Sequence, residues 1–183
     1  MKSEGSQLQI KPFELLFPQN EIERVIASMG KRLSKDYAGK NPIFLGVLKG
    51  CFVFMADLVR AMSVPIEAEF ISAHSYGSGM NPGKLTLSGG SDVSLKGRHI
   101  LLVEGVVDTG RTVVSIVETI KSMEPASVEI VTLLDKTGRR ESPIQIKYAG
   151  FHVDNDFVIG YGLDHNQLYR NLPFIGKVIE QKG

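Results

Sequence analysis

A run of acidic, hydroxyl and basic side chains follows four apolar residues in the middle of the chain. Residues 100–103 are Ile-Leu-Leu-Val, Glu104 comes directly after them, and Asp108-Thr109-Gly110-Arg111-Thr112 follows after three more residues. Two hydroxyls, an arginine and successive backbone N–H groups favour an anion, and Gly110 lets the backbone approach it closely. The carboxylates of Glu104 and Asp108 can accept hydrogen bonds or a proton beside it. We interpret the stretch as a cradle for a phosphate monoester.

The pattern on either side predicts a buried strand that leads into a helix. Consecutive apolar residues are typical of a strand covered on both faces in a parallel sheet. After the turn, apolar residues recur at helical spacing as far as Glu124, just before Pro125. The cradle then lies at a strand's carboxyl end and a helix N-terminus, where open α/β sheets bind ligands. The alternative is an ordinary strand-to-helix connection in which Asp108 or Thr109 caps the helix.

Two other polar segments also follow predicted strands. Lys49-Gly50 comes after the apolar residues 43–48, and Asp135-Lys136 comes after the strand predicted over residues 128–134. Because the carboxyl ends of parallel strands meet at one edge of a sheet, both segments can converge with the cradle on one crevice.

The remaining periodicity completes an α/β fold with a parallel-sheet core, right-handed crossovers and flanking helices. We expect one domain over residues 1–183, with residues 1–11 as a loose tail and an irregular tail from Asn166. A small hood lobe would come from the two chain ends. Helices are predicted from Asn20, with Asn20 and Glu23 as a capping box, and over residues 52–62; further strands are predicted over residues 66–74, 147–152 and 157–161.

Residues 76–95 are punctuated by glycine and proline and have little regular hydrophobicity. A segment of this length inside a compact domain is often a lid, so we expect a flexible loop that closes over the site and excludes water. The alternative is a mobile hairpin arm without a catalytic role.

Composition excludes several other classes of protein. The net charge of +1 gives no indication of a nucleic-acid or membrane partner, and one cysteine cannot form an internal disulfide. The four histidines show no metal-ligand spacing. Since the first eleven residues carry no apolar signal and no run approaches the roughly 20 residues of a membrane helix, we expect a cytoplasmic protein.

The cradle resembles the signature of the type I phosphoribosyltransferases, and further segments in the same order resemble the hypoxanthine-guanine phosphoribosyltransferases. The resemblance covers roughly residues 12–180. The matching segments are Val47-Leu48-Lys49-Gly50, Phe54-Met55-Ala56-Asp57-Leu58, Ser75-Tyr76-Gly77, Leu133-Leu134-Asp135-Lys136, Phe157-Val158-Ile159-Gly160-Tyr161-Gly162-Leu163-Asp164 and Tyr169-Arg170-Asn171-Leu172-Pro173.

The resemblance implies a purine-salvage enzyme. Purine N9 of hypoxanthine or guanine would displace pyrophosphate from phosphoribosyl pyrophosphate, through an oxocarbenium-like sugar, to give IMP or GMP. It also implies a Mg²⁺ cofactor, held mainly by the diphosphate, the ribose hydroxyls and water, with Glu104 and Asp164 as protein ligands. Homodimers or homotetramers are the expected assemblies.

The resemblance also assigns roles to individual residues. Asp108 would be the general base toward purine N7, and residues 108–112 would bind the 5′-phosphate. Glu104 would hold the ribose hydroxyls, and Lys136 would donate to the purine O6. Lys49, Gly50 and Arg170 would bind pyrophosphate, with a non-proline cis peptide at Lys49-Gly50; Phe157, Val158 and Asp164 would line the purine site, and Ser75 and Tyr76 belong to the lid loop.

Without the resemblance, the residue types at several of these positions also allow structural roles. Lys49 can be a lysine whose stem lies along apolar surface, Arg170 a surface arginine, and Phe157 and Val158 core residues. Arg139-Arg140 we interpret as a solvated or subunit-contact pair.

One position departs from the family. A second acid normally follows the first, and here Gly105 stands in its place. We therefore expect residue 105 to limit the enzyme and Gly105→Asp to raise kcat/KM for phosphoribosyl pyrophosphate severalfold. The alternative function is a catalytically weakened or inactive protein that binds phosphoribosyl pyrophosphate or nucleotides as a regulator. The Asp-Thr-Gly triplet also occurs in aspartic proteases, but those need two such aspartates in an all-β setting.

Overall fold

A computed structural model describes residues 12–72 and 93–179 of the chain. In chain order its helices and strands are β1 (Phe13–Phe17), α1 (Gln19–Asp36), β2 (Ile43–Leu48), α2 (Phe52–Arg60), β3 (Glu67–Ser72), β4 (His99–Val107), α3 (Arg111–Lys121), β5 (Ser127–Lys136), β6 (Tyr148–Val153), β7 (Val158–Ile159) and β8 (Ile175–Val178). A single 3-10 turn over Thr137–Arg139 follows β5.

Five parallel strands form the main sheet in the order β3-β2-β4-β5-β6. The predicted parallel α/β core is confirmed, and the strand over residues 43–48 has the predicted bounds. The central strand β4 pairs with β2 on one side and β5 on the other, so that Leu102 lies opposite both Leu45 and Ile130. Since all five strands run the same way, the polar ends of β2, β4 and β5 meet at one edge.

Alternate residues of β4 bury opposite faces of the sheet. Leu101 and Val103 belong to a core cluster with apolar residues of α1 and α2. Ile100 and Leu102 belong to a second cluster with the apolar face of α3. Helices thus cover both faces of the sheet, and the uninterrupted apolar run of β4 follows from burial on both sides.

Polar residues extend the strands beyond the predicted bounds. β4 continues through Glu104 to Val107, with Glu104 paired to Thr132, and β5 includes Asp135 and Lys136. The connection from β4 to α3 is therefore only three residues, Asp108 to Gly110.

A second sheet of three antiparallel strands, in the order β1-β8-β7, forms the expected hood from the two ends of the chain. Its closure brings the two ends together, because the Ile179 N–H donates to the Pro12 carbonyl at 3.0 Å. The sequence did not predict β1, and the expectation of an irregular tail from Asn166 was wrong because β8 lies within it. Both strands are short and gain their order from partners at the opposite end of the chain.

The helix starts also differ from the expectation. Pro18 precedes α1 in extended conformation without a side-chain cap, and Gln19 Nε2 donates to Glu23 Oε1 at 2.8 Å, so Asn20 and Glu23 form no capping box. Gly110, rather than Asp108 or Thr109, occupies the N-cap of α3, with φ of +84°.

The predicted tail over residues 1–11 and most of the predicted lid, with Ser75 and Tyr76, lie outside the described residues. The last residues of the predicted lid are described, and there Leu95 is buried against the α3 side of the sheet. Among the described helices none is long and apolar enough to cross a membrane.

Candidate active site

A cavity of about 270 Å³ opens at the carboxyl ends of β2 and β4. It brings together residues from two of the three predicted segments: Gly50 from the first, and Glu104, the Asp108–Gly110 connection and Thr112 from the second. Asp135 and Lys136 end the neighbouring strand β5 at the same edge. The predicted convergence of the strand ends is thus confirmed, and an anion bound in this cavity would lie beside the N-terminus of α3.

Gly110 fixes the backbone of the cradle. Its φ is positive, and a Cβ atom added there would lie 3.1 Å from Ile144 Cδ1 and 3.3 Å from Arg140 Cδ. A side chain at this position would be both strained and crowded, so glycine allows the turn that directs the first N–H groups of α3. These N–H groups have no partner within a helix and favour an anion.

Arg111 does not contribute its charge to the cavity as expected. Its side chain is 76% exposed and its guanidinium pairs with Glu141. The Glu141 N–H in turn donates to the Thr109 carbonyl at 3.0 Å, which ties the segment after the 3-10 turn to the cradle.

Asp108 stands between two cations. Its Oδ2 lies 3.6 Å from Lys136 Nζ and 3.5 Å from a guanidinium nitrogen of Arg139. Its Oδ1 is buried and has no hydrogen-bond partner within the described ranges. A buried carboxylate oxygen without a donor is costly, so this atom is suited to receive a proton or donor from a ligand.

Arg139 and Arg140, interpreted from the sequence as a solvated or subunit-contact pair, have different surroundings. The Arg139 side chain is 52% exposed, as expected for a solvated arginine, whereas that of Arg140 is only 17% exposed, so a solvated position was wrong for Arg140. Arg139 faces Asp108, while Arg140 pairs with Asp135, whose other oxygen lies 3.4 Å from His152 Nδ1. One terminal nitrogen of Arg140 is buried without an acceptor among the described residues. The 3-10 turn after β5 brings both arginines back to the end of that strand. The sequence signal for their place at the site is their position three and four residues after Lys136.

Glu104 is partly open to the cavity but otherwise surrounded by protein. Burial raises the pKa of Glu104 to about 8, and a hydrogen bond from the Gly105 backbone lowers it by less. The side chain is therefore mostly protonated at neutral pH before a ligand binds.

Arg170 and Asp164 form an ion pair with Arg170 NH2 and Asp164 Oδ1 2.7 Å apart. Arg170 also donates to the Gly162 carbonyl at 2.8 Å, and Asp164 Oδ2 accepts from the Gln167 N–H at 2.9 Å. Arg170 lines a different cavity, of about 790 Å³, between α1, α2 and residues 161–173. The structure thus joins these two predicted ligand residues to each other and does not bring Arg170 to the phosphate cradle.

Phe157 and Val158 lie in the hood, and neither lines the cradle cavity. Phe157 is 48% exposed, and the His165 ring meets it edge-on with centroids 5.2 Å apart. Val158 is buried and pairs with β8 through Lys177. An exposed aromatic ring beside a fixed strand is available for stacking, whereas a plain core role for Phe157 does not agree with its exposure.

Sequence comparison finds similar known proteins over nearly the whole chain. Residues 14–166 match the phosphoribosyl transferase domain family. A hypoxanthine-guanine phosphoribosyltransferase of Streptococcus pneumoniae is 43% identical over 169 residues, which cover 92% of this chain and 94% of that protein. The chain belongs to the hypoxanthine-guanine phosphoribosyltransferases. A hypoxanthine phosphoribosyltransferase of Haemophilus influenzae is 40% identical over 170 residues, 91% of this chain and 95% of that protein.

Solved phosphoribosyltransferases share the fold as well. A hypoxanthine phosphoribosyltransferase of Staphylococcus aureus superposes with a TM-score of 0.83 at 36% identity, over 96% of this chain and 97% of that one. A hypoxanthine-guanine phosphoribosyltransferase of Bacillus anthracis gives a TM-score of 0.82 at 33% identity, over 93% of this chain and all of that one.

In this phosphoribosyltransferase, the segment between β2 and α2 approaches β4 closely. The cis peptide joins Leu48 to Lys49, one bond before the predicted position, and Lys49 itself is exposed. A Cβ atom added at Gly105 would lie 2.5 Å from the Gly50 carbonyl oxygen and 3.1 Å from Leu163 Cδ2. The space for the family's second acid is therefore already filled by the Gly50 backbone, and the expected gain from Gly105→Asp does not follow from this geometry.

Proposed function

We propose that the protein transfers the 5-phosphoribosyl group from phosphoribosyl pyrophosphate to N9 of hypoxanthine or guanine, giving IMP or GMP and pyrophosphate in purine salvage. The observation that carries this proposal is Asp108. It has one oxygen held near two cations and one buried oxygen without a partner in the described part of the chain, directly beside the phosphate cradle. A positioned carboxylate of this kind can take the proton from purine N7 as N9 bonds to ribose.

The cradle and Glu104 together suit a ribose 5-phosphate. Residues 108–112 would hold the 5′-phosphate through their N–H and hydroxyl groups. Glu104 lines the same cavity and would accept hydrogen bonds from the ribose hydroxyls. Because acceptance by a carboxylate favours its charged form, binding should lower the raised pKa of Glu104 and release a proton.

The purine would lie between the hood and the end of β5. Lys136 would donate to O6, Phe157 would stack on the ring, and Val158 would bond the purine edge through its backbone, near Asp164. A lysine donor favours 6-oxopurines, because the amino group of adenine cannot accept. The exposed ring of Phe157 and the buried ammonium of Lys136 support these assignments.

Pyrophosphate would be held by Lys49, Gly50 and Arg170, and Mg²⁺ by the diphosphate with Asp164 and Glu104 as protein ligands. Within residues 12–72 and 93–179 there is no cluster of three or more His, Cys, Asp or Glu side chains that could hold a metal. That finding fits a metal bound mainly by substrate oxygens. When bound, Mg²⁺ neutralises charge on the leaving pyrophosphate. In the ion pair of Arg170 with Asp164, the arginine would bind pyrophosphate and the aspartate would bind Mg²⁺.

We place the enzyme in the cytoplasm as a homodimer or homotetramer, and the segment with Ser75 and Tyr76 as a lid over the bound substrates. Closure of such a lid would exclude water that competes with the purine for the sugar.

A second candidate is a regulator that binds phosphoribosyl pyrophosphate without turnover, which Gly105 favours because the second acid is missing. The test is formation of IMP and GMP from the two purines with phosphoribosyl pyrophosphate and Mg²⁺. Turnover with at least one purine is expected. Absence of turnover with both, while calorimetry detects binding of phosphoribosyl pyrophosphate, would establish the regulator instead.

A further inference from the structure

The Gly50 carbonyl lies in a slot between two glycines. A Cβ atom added at Gly105 would lie 2.5 Å from the Gly50 oxygen and 2.9 Å from its carbon, and one added at Gly162 would lie 2.9 Å from the same oxygen. Real Cβ atoms do not approach backbone atoms so closely. A Cβ atom on Gly50 itself would only touch Leu163 Cδ2, at 3.5 Å. The glycines that the slot requires are therefore those in β4 and in the turn after β7.

Residue 105 and the Lys49-Gly50 backbone thus compete for one volume. In this chain the backbone holds it, and Gly50 lines the cavity together with Glu104. Among the hydrogen bonds of residues 12–72 and 93–179, none ends on the Gly50 carbonyl oxygen. An acceptor that has no donor in these two ranges therefore stands against the Cα of residue 105, where the side chain of a second acid would begin.

We propose that Gly105 is a positioning residue for the Leu48–Gly50 segment. Without a side chain, residue 105 lets the segment close onto β4, so that the Gly50 carbonyl takes the place of the missing carboxylate as an acceptor for a ribose hydroxyl of phosphoribosyl pyrophosphate. The adjacent Lys49-Gly50 backbone is held in position for pyrophosphate by the same contact. This inference rests on the proposed function, since it names the substrate groups at that site.

The test compares Gly105→Ala with Gly150→Ala. The methyl group at 105 must displace the Gly50 backbone, and we expect the KM for phosphoribosyl pyrophosphate, and for pyrophosphate in the reverse reaction, to rise about 10-fold. The KM for hypoxanthine should change less than about twofold, because the slot is formed by Gly105, Gly162 and Leu163 and not by a residue assigned to the purine. Gly150 lies in β6, where a Cβ atom would lie 2.7 Å from the Leu133 carbonyl oxygen. Gly150→Ala should therefore lower the melting temperature without changing the KM values.

Gly105→Asp provides the opposite test. It supplies the missing carboxylate but needs the same displaced backbone, so its kcat/KM for phosphoribosyl pyrophosphate should not exceed that of the wild type. A severalfold gain would overturn the proposal, because the acid and the segment would then fit together. Unchanged KM values for phosphoribosyl pyrophosphate and pyrophosphate in Gly105→Ala would also overturn it.

Two further measurements test the positioning role if the wild type shows no turnover or if the variant does not fold. If the wild type binds phosphoribosyl pyrophosphate but shows no turnover, the proposed function fails, and the positioning role is then decided by the Kd, which Gly105→Ala should raise about 10-fold. If Gly105→Ala does not fold, a crystal structure of the wild type with phosphoribosyl pyrophosphate decides. A ribose hydroxyl within about 3 Å of the Gly50 oxygen supports the proposal, and one beyond hydrogen-bond distance refutes it.

Discussion

Replacement of Lys136 by methionine tests the purine specificity of the proposed site. The Lys136 side chain is only 7% exposed, and its Nζ lies 3.6 Å from Asp108 Oδ2. Methionine has a similar length and can fill the buried path of the lysine stem without its charge. Asp108 keeps a cation in the variant, because Arg139 lies 3.5 Å from the same oxygen. The fold and the general base should therefore survive the change.

The expected loss follows from the unpaired purine O6. A buried acceptor that loses its donor costs about 1–3 kcal/mol, which corresponds to about 5- to 150-fold in kcat/KM. We expect at least about a tenfold loss with both hypoxanthine and guanine, since both carry O6. Adenine has no acceptor at this position, so any slow reaction with it should not fall by the same factor.

Steady-state kinetics with the three purines at saturating phosphoribosyl pyrophosphate measure this effect. Lys147→Met is the matched control, because Lys147 also lies 3.6 Å from a carboxylate, that of Glu129, but at a 45% exposed position outside the cavity. That variant should keep the wild-type kcat/KM for all purines. Full activity of Lys136→Met with guanine would mean that the purine O6 binds elsewhere, and the assignment of the purine site would be wrong.

Three other outcomes are expected. Asp108→Asn should lower kcat at least about 10-fold while GMP still binds in calorimetry, because asparagine cannot take the N7 proton; an unchanged kcat would remove Asp108 from that role. Excess EDTA should stop turnover and added Mg²⁺ should restore it, whereas full turnover in EDTA would contradict metal dependence. Glu104, with a folded-state pKa of about 8 against an ordinary 4.5, stabilises the fold only while protonated, so its contribution is present below pH 4.5 and lost as the pH rises to 8. The melting temperature of the wild type should fall relative to that of Glu104→Gln across this range, and a constant difference would show that Glu104 titrates normally.

The sequence predicts the main sheet well because its strands are apolar on both faces. Residues 43–48 are bounded by Pro42 and Lys49 and form a strand with those limits. The polar strand ends were harder to predict. Glu104, Asp135 and Lys136 belong to their strands because they pair with neighbouring strands, and an apolar pattern does not mark them. The position of both segments at the carboxyl ends of parallel strands was sufficient to predict that they converge, and Asp108 Oδ2 lies 3.6 Å from Lys136 Nζ.

Contacts between distant segments account for what the sequence did not predict. β1 and β8 stabilise each other across nearly the full length of the chain, and neither has a local pattern that marks a strand. Arg139 and Arg140 reach the site because a 3-10 turn reverses the chain after β5. The close approach of Gly50 to Gly105 depends on how near the segment between β2 and α2 lies to β4. The spacing of residues along the chain does not determine that distance.

The position of β8 in the hood has a consequence for the order in which the enzyme is completed during synthesis. β8 is the last of the described strands to leave the ribosome, yet it lies between β1 and β7 and hydrogen-bonds to both. All five strands of the parallel sheet, and the cradle with them, precede it in the chain. All the strands that position the phosphate site are therefore synthesised before the hood can close. The proposed purine wall at Phe157 and Val158 depends on pairing with β8, so it can be completed only after Ile175–Val178 has been synthesised.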